Sequence, residues 1–407
     1  MRFKECFSNE KVNTGRQPEI DCLKAFCIVC MILLHTYEDL ASDTNLISET
    51  LDYICEFVGA AAFMICMGIG IRYSRRQEPG DYIHRGFEIF TVGQLLNLLR
   101  NSIPNLIAYW IKGDDFFIAN SLLVIQADIL SFAGLAFILI ALFKKLRISD
   151  NLILGAGILM NLVGLGLYLV FNGPVIISNF LLSQLAGYFV LTNAEAFFPL
   201  LSYFIFVAFG YFLGGLYPRI SDKNKLSTQL LYICLPLCVI YYVLRSIYPF
   251  PGLPEFNSIE QYCINPGPDA LATCLVSVVM LSLFYKMTKN NSGKIWGPVS
   301  HLSRNINKYY CISYIFILPL QTVLIAVQGS LMPGAMLPTV YGIFVIIACM
   351  FIIKWNDRHL HFGIAGLKGP KRAAAFTAIY LVSALVIIYA YPRIDEFATL
   401  WTDYLLP

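Results

Sequence analysis

Charge is what this sequence has least of. Its 407 residues include 26 Asp and Glu and 29 Lys and Arg, together 14%, against 57% hydrophobic side chains. A soluble globular chain carries about a quarter charged residues, so a water-facing domain able to work on its own is excluded. Histidine is scarcer still, at five residues. No polar linker divides the chain. No solenoid period and no inverted repeat of the transporter kind is visible either, so the sequence reads as one bundle. A cleavable signal is not expected, because the polar, basic residues 1 to 17 lead straight into a full-length apolar run without a small-residue cleavage site. Most of the twelve cysteines, Cys22, Cys27, Cys30, Cys66, Cys234 and Cys238 among them, lie in apolar runs, where a thiol packs as a small hydrophobe. Cys27 and Cys30 form a C-x-x-C with no companion pair or histidine cluster, so no metal is expected.

Apolar runs near the ~20 residues that cross a bilayer fill the length instead, at roughly 20 to 40, 51 to 73, 85 to 104, 121 to 143, 152 to 171, 198 to 217, 229 to 248, 268 to 287, 308 to 328, 334 to 353 and 373 to 391. The expected fold is an all-α, polytopic transmembrane bundle of about eleven helices (10–11). Placing these runs alternately puts 25 of the 29 basic residues on one side; only Arg100, Lys112, Arg245 and Arg393 fall on the other. Basic residues are retained in the cytoplasm, so the N-terminus is expected inside. The chain then divides into a cytoplasmic polar tail (1–17), one bundle (18–391) and a short extracytoplasmic tail (392–407). Retention of those loops also accounts for the net charge of +3, and no nucleic-acid patch is expected. The apolar stretch from Asn179 to Leu191 is too short to span and reads as re-entrant or interfacial.

Ionisable groups concentrate in the first run, which holds Asp21, Lys24, His35, Glu38 and Asp39. At about 100° per residue they fall at about 0°, −60°, −40°, −100° and 0°, one sector of a helix. Each has a plain structural reading: Asp21 at a helix N-terminus, Lys24 snorkelling, Glu38 and Asp39 at a wet helix end. His35 is deep, and a carboxylate three or four residues on is placed to fix its tautomer. Gln94, Asn97 and Arg100 recur on one face of the third run, and Asp128 falls inside the fourth, where it needs a partner such as Arg100. Arg72, Arg75, Arg76 and Arg85 flank an inside turn, as any such loop does, and suit phosphates as well. Gly68 and Gly70 read as helix packing. His301, His359 and His361 sit in or beside inside loops and need no special account.

The stretch RQPEIDCLKAFCIVCMILLHTYEDL resembles the first helix of transmembrane acyltransferases of the acyltransferase-3 and heparan-glucosaminide-acetyltransferase type: a short acidic lead-in, a basic residue, ten residues, then His. Lys24 and His35 match that spacing, with Lys for the more usual Arg. AAAFMICMGIGIRYSRR and YIHRGFEIFTVGQLLNLLRN are similar to the next two helices, and IQADILSFAGLAFIL and HLSRNINKYYCISYIFI continue the likeness weakly. The resemblance implies an acyl-CoA donor, acetyl-CoA above all, bound from the cytoplasm, and a glycan or other small-molecule acceptor acylated toward the outer face.

The residues then take roles. His35 acts as general base or as an acyl carrier, with Glu38 or Asp39 orienting it. Lys24, Arg72, Arg75, Arg76 and Arg85 hold the donor, and Asn97, Arg100 and Asp128 contribute to the acceptor pocket. Trp110, Asp114, Asp115, Asn172, Asn193, Glu195, Asn257, Glu260 and Tyr262 in the outer loops are a mixture able to line a sugar site. A multi-pass protein of the plasma (inner) membrane is the expected setting. The rival readings are a secondary transporter or lipid-linked glycan flippase, and a non-catalytic sensor or scaffold.

Overall fold

An apolar run surrounded by lipid finds hydrogen-bond partners for its backbone only within itself, and so becomes a helix. The computed structural model describes residues 3–43, 46–54, 59–194, 196–248, 250–256, 258–290, 296–360 and 367–393. They form α1 (Pro18–Leu40), α2 (Leu46–Ile54), α3 (Ala60–Tyr73), α4 (Pro79–Asn97), α5 (Ile103–Lys112), α6 (Asp115–Ser121), α7 (Ile129–Lys145), α8 (Asp150–Phe171) and α9 (Phe180–Gly187). The second half adds α10 (Leu200–Leu216), α11 (Lys223–Ile247), α12 (Ile259–Ile264), α13 (Gly267–Thr288), α14 (Trp296–Arg304), α15 (Ile306–Gln328), α16 (Met336–Trp355) and α17 (Gly369–Ala390). Among the described residues there is no strand, only four isolated bridges.

Eight helices are long and apolar enough to cross a membrane: α1, α8, α10 with its 3-10 continuation to Arg219, α11, α13, α15, α16 and α17, the last two with short extensions. The protein is therefore an integral, multi-pass membrane protein. The other three expected runs are helical but shorter, broken or charged. Residues 51 to 73 are divided between α2 and the 14-residue α3, which at 1.5 Å per residue reaches about 21 Å. The run from 85 to 104 begins earlier, at Pro79, and passes through a π-helical turn, Leu98–Ser102, into α5. Residues 121 to 143 break at Gln126 and Ala127, and Asp128, expected inside a helix, is instead the extended N-cap of α7. Its carboxylate receives the N–H groups of Leu130 and Ser131, which start the helix there. The stretch from Asn179 to Leu191 holds only the eight-residue α9.

Glycine seams bring the central helices together. A Cβ on Gly68 of α3 would lie 2.2 Å from the Val207 carbonyl oxygen, and one on Gly210 of α10 would lie 2.1 Å from that of Ile65. Gly86 of α4 and Gly134 of α7 oppose one another in the same way, at 2.6 and 2.7 Å from each other's carbonyl oxygens. Only residues without a side chain permit backbones to approach so closely. Around these seams lies the main core, with Met64, Ile65, Phe132, Tyr203, Phe204 and Phe206 fully buried. Outside it, α8 and α11 leave Leu152, Leu159, Leu162, Tyr232, Leu235 and Val239 uncovered, as helices bordering lipid do.

The first seventeen residues are not loose where they are described. Phe7 bridges to Ile220, Cys6 is buried with Ile220 and Leu226, and Asn13 bonds the backbone at Tyr217 and Pro218. This segment packs on the link between α10 and α11. At the Leu40 end, Met332 donates its N–H to the Leu40 carbonyl, so the link between α15 and α16 is tied to the end of α1.

The glycine seams are expected to be intolerant. Gly68→Ala or Gly210→Ala should lower stability by about 1–3 kcal/mol in detergent. Gly155→Ala, where nothing lies within 4 Å, should leave the thermal unfolding midpoint unchanged or raised.

Candidate functional site

Every polar side chain on α1 must be met by another group or by water. The first turn is met structurally. Asp21 receives Arg16 Nε and Ser303 Oγ, both at 2.5 Å, and Glu19 pairs with Lys223 at 2.6 Å, which ties α1 to α14 and α11. Lys24, one turn further in, is partly buried and has no ion pair among the described residues. Beyond it the stripe opens onto a cavity of about 650 Å³, lined on α1 by Cys27, Ile28, Met31, Leu34, His35, Glu38 and Asp39. The angular sector read from the sequence is thus continued by the cavity wall.

Two partners hold His35. Its Nδ1 lies 2.8 Å from Glu38 Oε2, one turn on, and its Nε2 lies 2.9 Å from the Tyr314 hydroxyl of α15. A carboxylate can only accept, so Nδ1 carries the proton and Nε2 the lone pair. An imidazole held this way offers a base at Nε2, on the side facing Tyr314. His35 is 23% exposed and Glu38 is 47% exposed, so the carboxylate keeps much of its contact with water.

The π-helical turn between α4 and α5 delivers Arg100 and Asn101 to the opposite wall. Such turns displace the helix by one residue and re-aim side chains. Arg100 is 4% exposed, pairs with Asp128 at 3.4 Å and stands over the Tyr314 ring, 4.6 Å from its centre. Tyr310 donates its hydroxyl at 3.5 Å to the same Asp128 oxygen that Arg100 meets, and the other Asp128 oxygen is taken by the α7 cap and by Ser131 Oγ. The pair therefore joins α4, α7 and α15 at the cavity. Asn105, Asn120, Gln126 and Gln321 contribute amides to the lining, and Phe116, Phe197, Phe198 and Tyr262 contribute rings.

Other expected residues stand elsewhere. Asn97 is fully buried and is not part of the lining; its amide donates to the carbonyls of Val124 and Gln126 and so secures the break before α7. Arg72 pairs with Asp150 at 3.0 Å, and Arg85 pairs with Glu88 at 3.3 Å. Arg75 and Arg76 are exposed. Among the described members of the outer-loop set only Tyr262 lines the cavity: Trp110 bonds Tyr389, Asp114 caps α6, Asn193 braces Ile177 and Ser183, and Glu260 accepts from Tyr168. Glu195, Asn257 and His361 lie outside the described residues. His301 does more than face solvent. Its Nδ1 meets the Tyr309 hydroxyl at 3.1 Å, and burial, reinforced by the positive charge of Lys354, lowers its pKa from the ordinary value. Tyr310, Tyr314, Asn101 and Asn105 had no signal of their own, since a tyrosine in an apolar run reads as core and an amide as packing.

The cavity lining follows α15 from Ile306 to Ile325. Nineteen residues at 1.5 Å each is about 28 Å, close to the ~30 Å of a hydrocarbon core. Its ends therefore lie near the Pro18 and Leu40 faces of the bundle.

Removing one half of the buried pair should cost more than removing both. Arg100→Met leaves the Asp128 carboxylate uncompensated and should destabilise the protein by about 3–5 kcal/mol. Adding Asp128→Asn, which still caps α7, should return most of that loss in thermal unfolding.

No curated protein and no solved structure matches the chain. A family match covers residues 16–241, more than half of its length, from the segment before α1 to within α11, and so includes His35, Arg100 and Asp128. With that match the chain belongs to the family described as heparan-alpha-glucosaminide N-acetyltransferase, catalytic.

Proposed function

We propose that this protein is a membrane-embedded acetyltransferase that moves an acetyl group from acetyl-CoA to a hydroxyl or amine of a glycan. The observation that carries the reading is the imidazole of His35 at the wall of the cavity, with Nδ1 bonded to Glu38 and Nε2 bonded to the hydroxyl of Tyr314, which lines the same cavity. Family membership supports the reaction class.

The bundle, residues 18–391, works as one unit in this reading, with the Pro18 face in the cytoplasm of a plasma-membrane protein. The 25-to-4 division of basic residues supports that orientation. Acetyl-CoA enters from the Pro18 face. Lys24, on the same stripe as His35, has no ion pair among the described residues, and Arg75 and Arg76 are exposed, so these three suit the donor's phosphates better than Arg72 and Arg85, which have acidic partners. From Lys24 to His35 the helix rises ~16 Å, a separation that suits a donor whose charged end and thioester lie far apart. The acceptor enters from the Leu40 face, among the amides and rings of that half of the cavity. His35 is the base that gains a proton as the acceptor attacks, and Glu38 stabilises the imidazolium that forms. Asp39, also in the lining, adds negative charge nearby.

A cavity between both faces would serve a secondary transporter equally, and binding separates the two readings. Calorimetry on detergent-purified protein should show micromolar acetyl-CoA affinity, about tenfold weaker in Lys24→Ala. His35→Ala should keep that affinity while thiol release in the presence of glucosamine or glucose falls by about 10²–10⁴. A folded protein without acetyl-CoA affinity would move the assignment to transport.

A further inference from the structure

The only lone pair of the His35 ring is already occupied. Glu38 holds Nδ1–H, and the Tyr314 O–H donates to Nε2 at 2.9 Å, with the two rings 4.8 Å apart. An acceptor cannot hand its proton to Nε2 directly while that hydroxyl stands between them. Tyr314 itself lines the cavity, is braced edge-on by Tyr310 at 5.0 Å, and carries Arg100 over its ring at 4.6 Å. The guanidinium thus stands beside the group on which negative charge would develop transiently. We infer that Tyr314 is a catalytic residue, a proton relay between the acceptor and His35. This inference rests on the acetyl-transfer reading.

The step balances as follows. The acceptor's hydroxyl or amine forms a bond to the thioester carbonyl carbon as its proton passes to the Tyr314 oxygen and the Tyr314 proton passes to His35 Nε2. When the carbon–sulfur bond breaks, its electron pair leaves on the CoA sulfur. The imidazolium returns its proton through the same hydroxyl to that thiolate. Neither an oxidant nor a metal is required. Tyr314 lies beyond the family-matched stretch, so the relay would be supplied by the second part of the chain to a base on the first.

The test follows CoA thiol release by the full-length protein in detergent, with acetyl-CoA and either glucosamine or glucose. Tyr314→Phe keeps the ring and the Arg100 contact. It is expected to retain acetyl-CoA binding while kcat falls about 10- to 100-fold, the scale of a lost proton-transfer group. In mixtures of light and heavy water the wild-type rate should curve with deuterium content, because two protons move together; the variant's should be linear. Placing 3,5-difluorotyrosine at 314 keeps the hydroxyl and its hydrogen bond but makes the phenol more acidic. A relay then changes kcat several-fold at constant KM, which a purely structural hydrogen bond would not do. Wild-type kcat in Tyr314→Phe, or a fluorotyrosine enzyme indistinguishable from wild type, overturns the relay and leaves acetyl transfer standing. Wild-type protein that releases no thiol with either sugar overturns the acetyl-transfer reading and the relay with it.

Discussion

A charge inside a lipid-bordered bundle must be answered within the protein, and the pairing of Arg100 with Asp128 is where this structure answers it. Both side chains are about 95% buried, at 4% and 5% exposed. Lipid offers neither water nor counterions to replace a missing partner, so the positions of both backbones become mutually dependent. The π-helical turn of Leu98–Ser102 brings Arg100 inward, and the break before α7 leaves Asp128 at a helix start, where its second oxygen is also used. Two irregularities that would be costly alone are thereby compatible with each other. Irregular backbone at membrane depth is tolerated where it is buried in protein or lines a cavity, and both breaks do so here.

The ion pair alone would not hold the walls in register. The glycine seams, Gly86 against Gly134 and Gly68 against Gly210, set how closely α4 approaches α7 and α3 approaches α10. The first seam lies on the two helices that the pair joins. Asn97 then fastens the α4 side of the cavity to the chain before α7. Close packing below and a charge pair above give the π-helical turn one position, and Arg100 therefore one place over Tyr314.

The first helix was readable in the sequence because its information is local. Five ionisable residues in one 100° sector need only helical periodicity to be recognised, and the cavity follows that sector from Cys27 to Asp39. Glu38 as the partner of His35 was legible for the same reason, being one turn away. What was not legible depends on distant pairing or on broken periodicity. Asp128 read as a mid-helix acid because a hydropathy run does not reveal a cap at its centre. The Arg72 to Arg85 group read as one basic turn, while the Asp150 that engages Arg72 stands on another helix, 78 positions on, and is set by packing; the Glu88 that engages Arg85 is only one turn away on α4. Asn97 read as a pocket residue because its face is shared with Arg100; the π-helical turn that starts just after it carries Arg100, and only Arg100 is in the cavity lining. Tyr314 meets His35 across 279 positions of chain, which no periodicity in one run discloses.

The depth of His35 explains why its two partners differ. A carboxylate buried beside an imidazole would pay for desolvation before it could help, and the pair would be costly in either charge state. Glu38 avoids this by remaining nearly half exposed while one oxygen reaches Nδ1. Its charge stays solvated, yet it still fixes the ring's tautomer and can stabilise the imidazolium. On the other side a second carboxylate would compete for the proton that Nε2 must accept, and an ammonium would repel it. A neutral hydroxyl does neither: it can donate and accept in turn, and a tyrosine supplies it at the end of a ring rigid enough to be held by Tyr310 and Arg100. The asymmetry of the two contacts, one charged and half-exposed, the other neutral and packed, is what a base needs when it works at the wall of a cavity within a membrane.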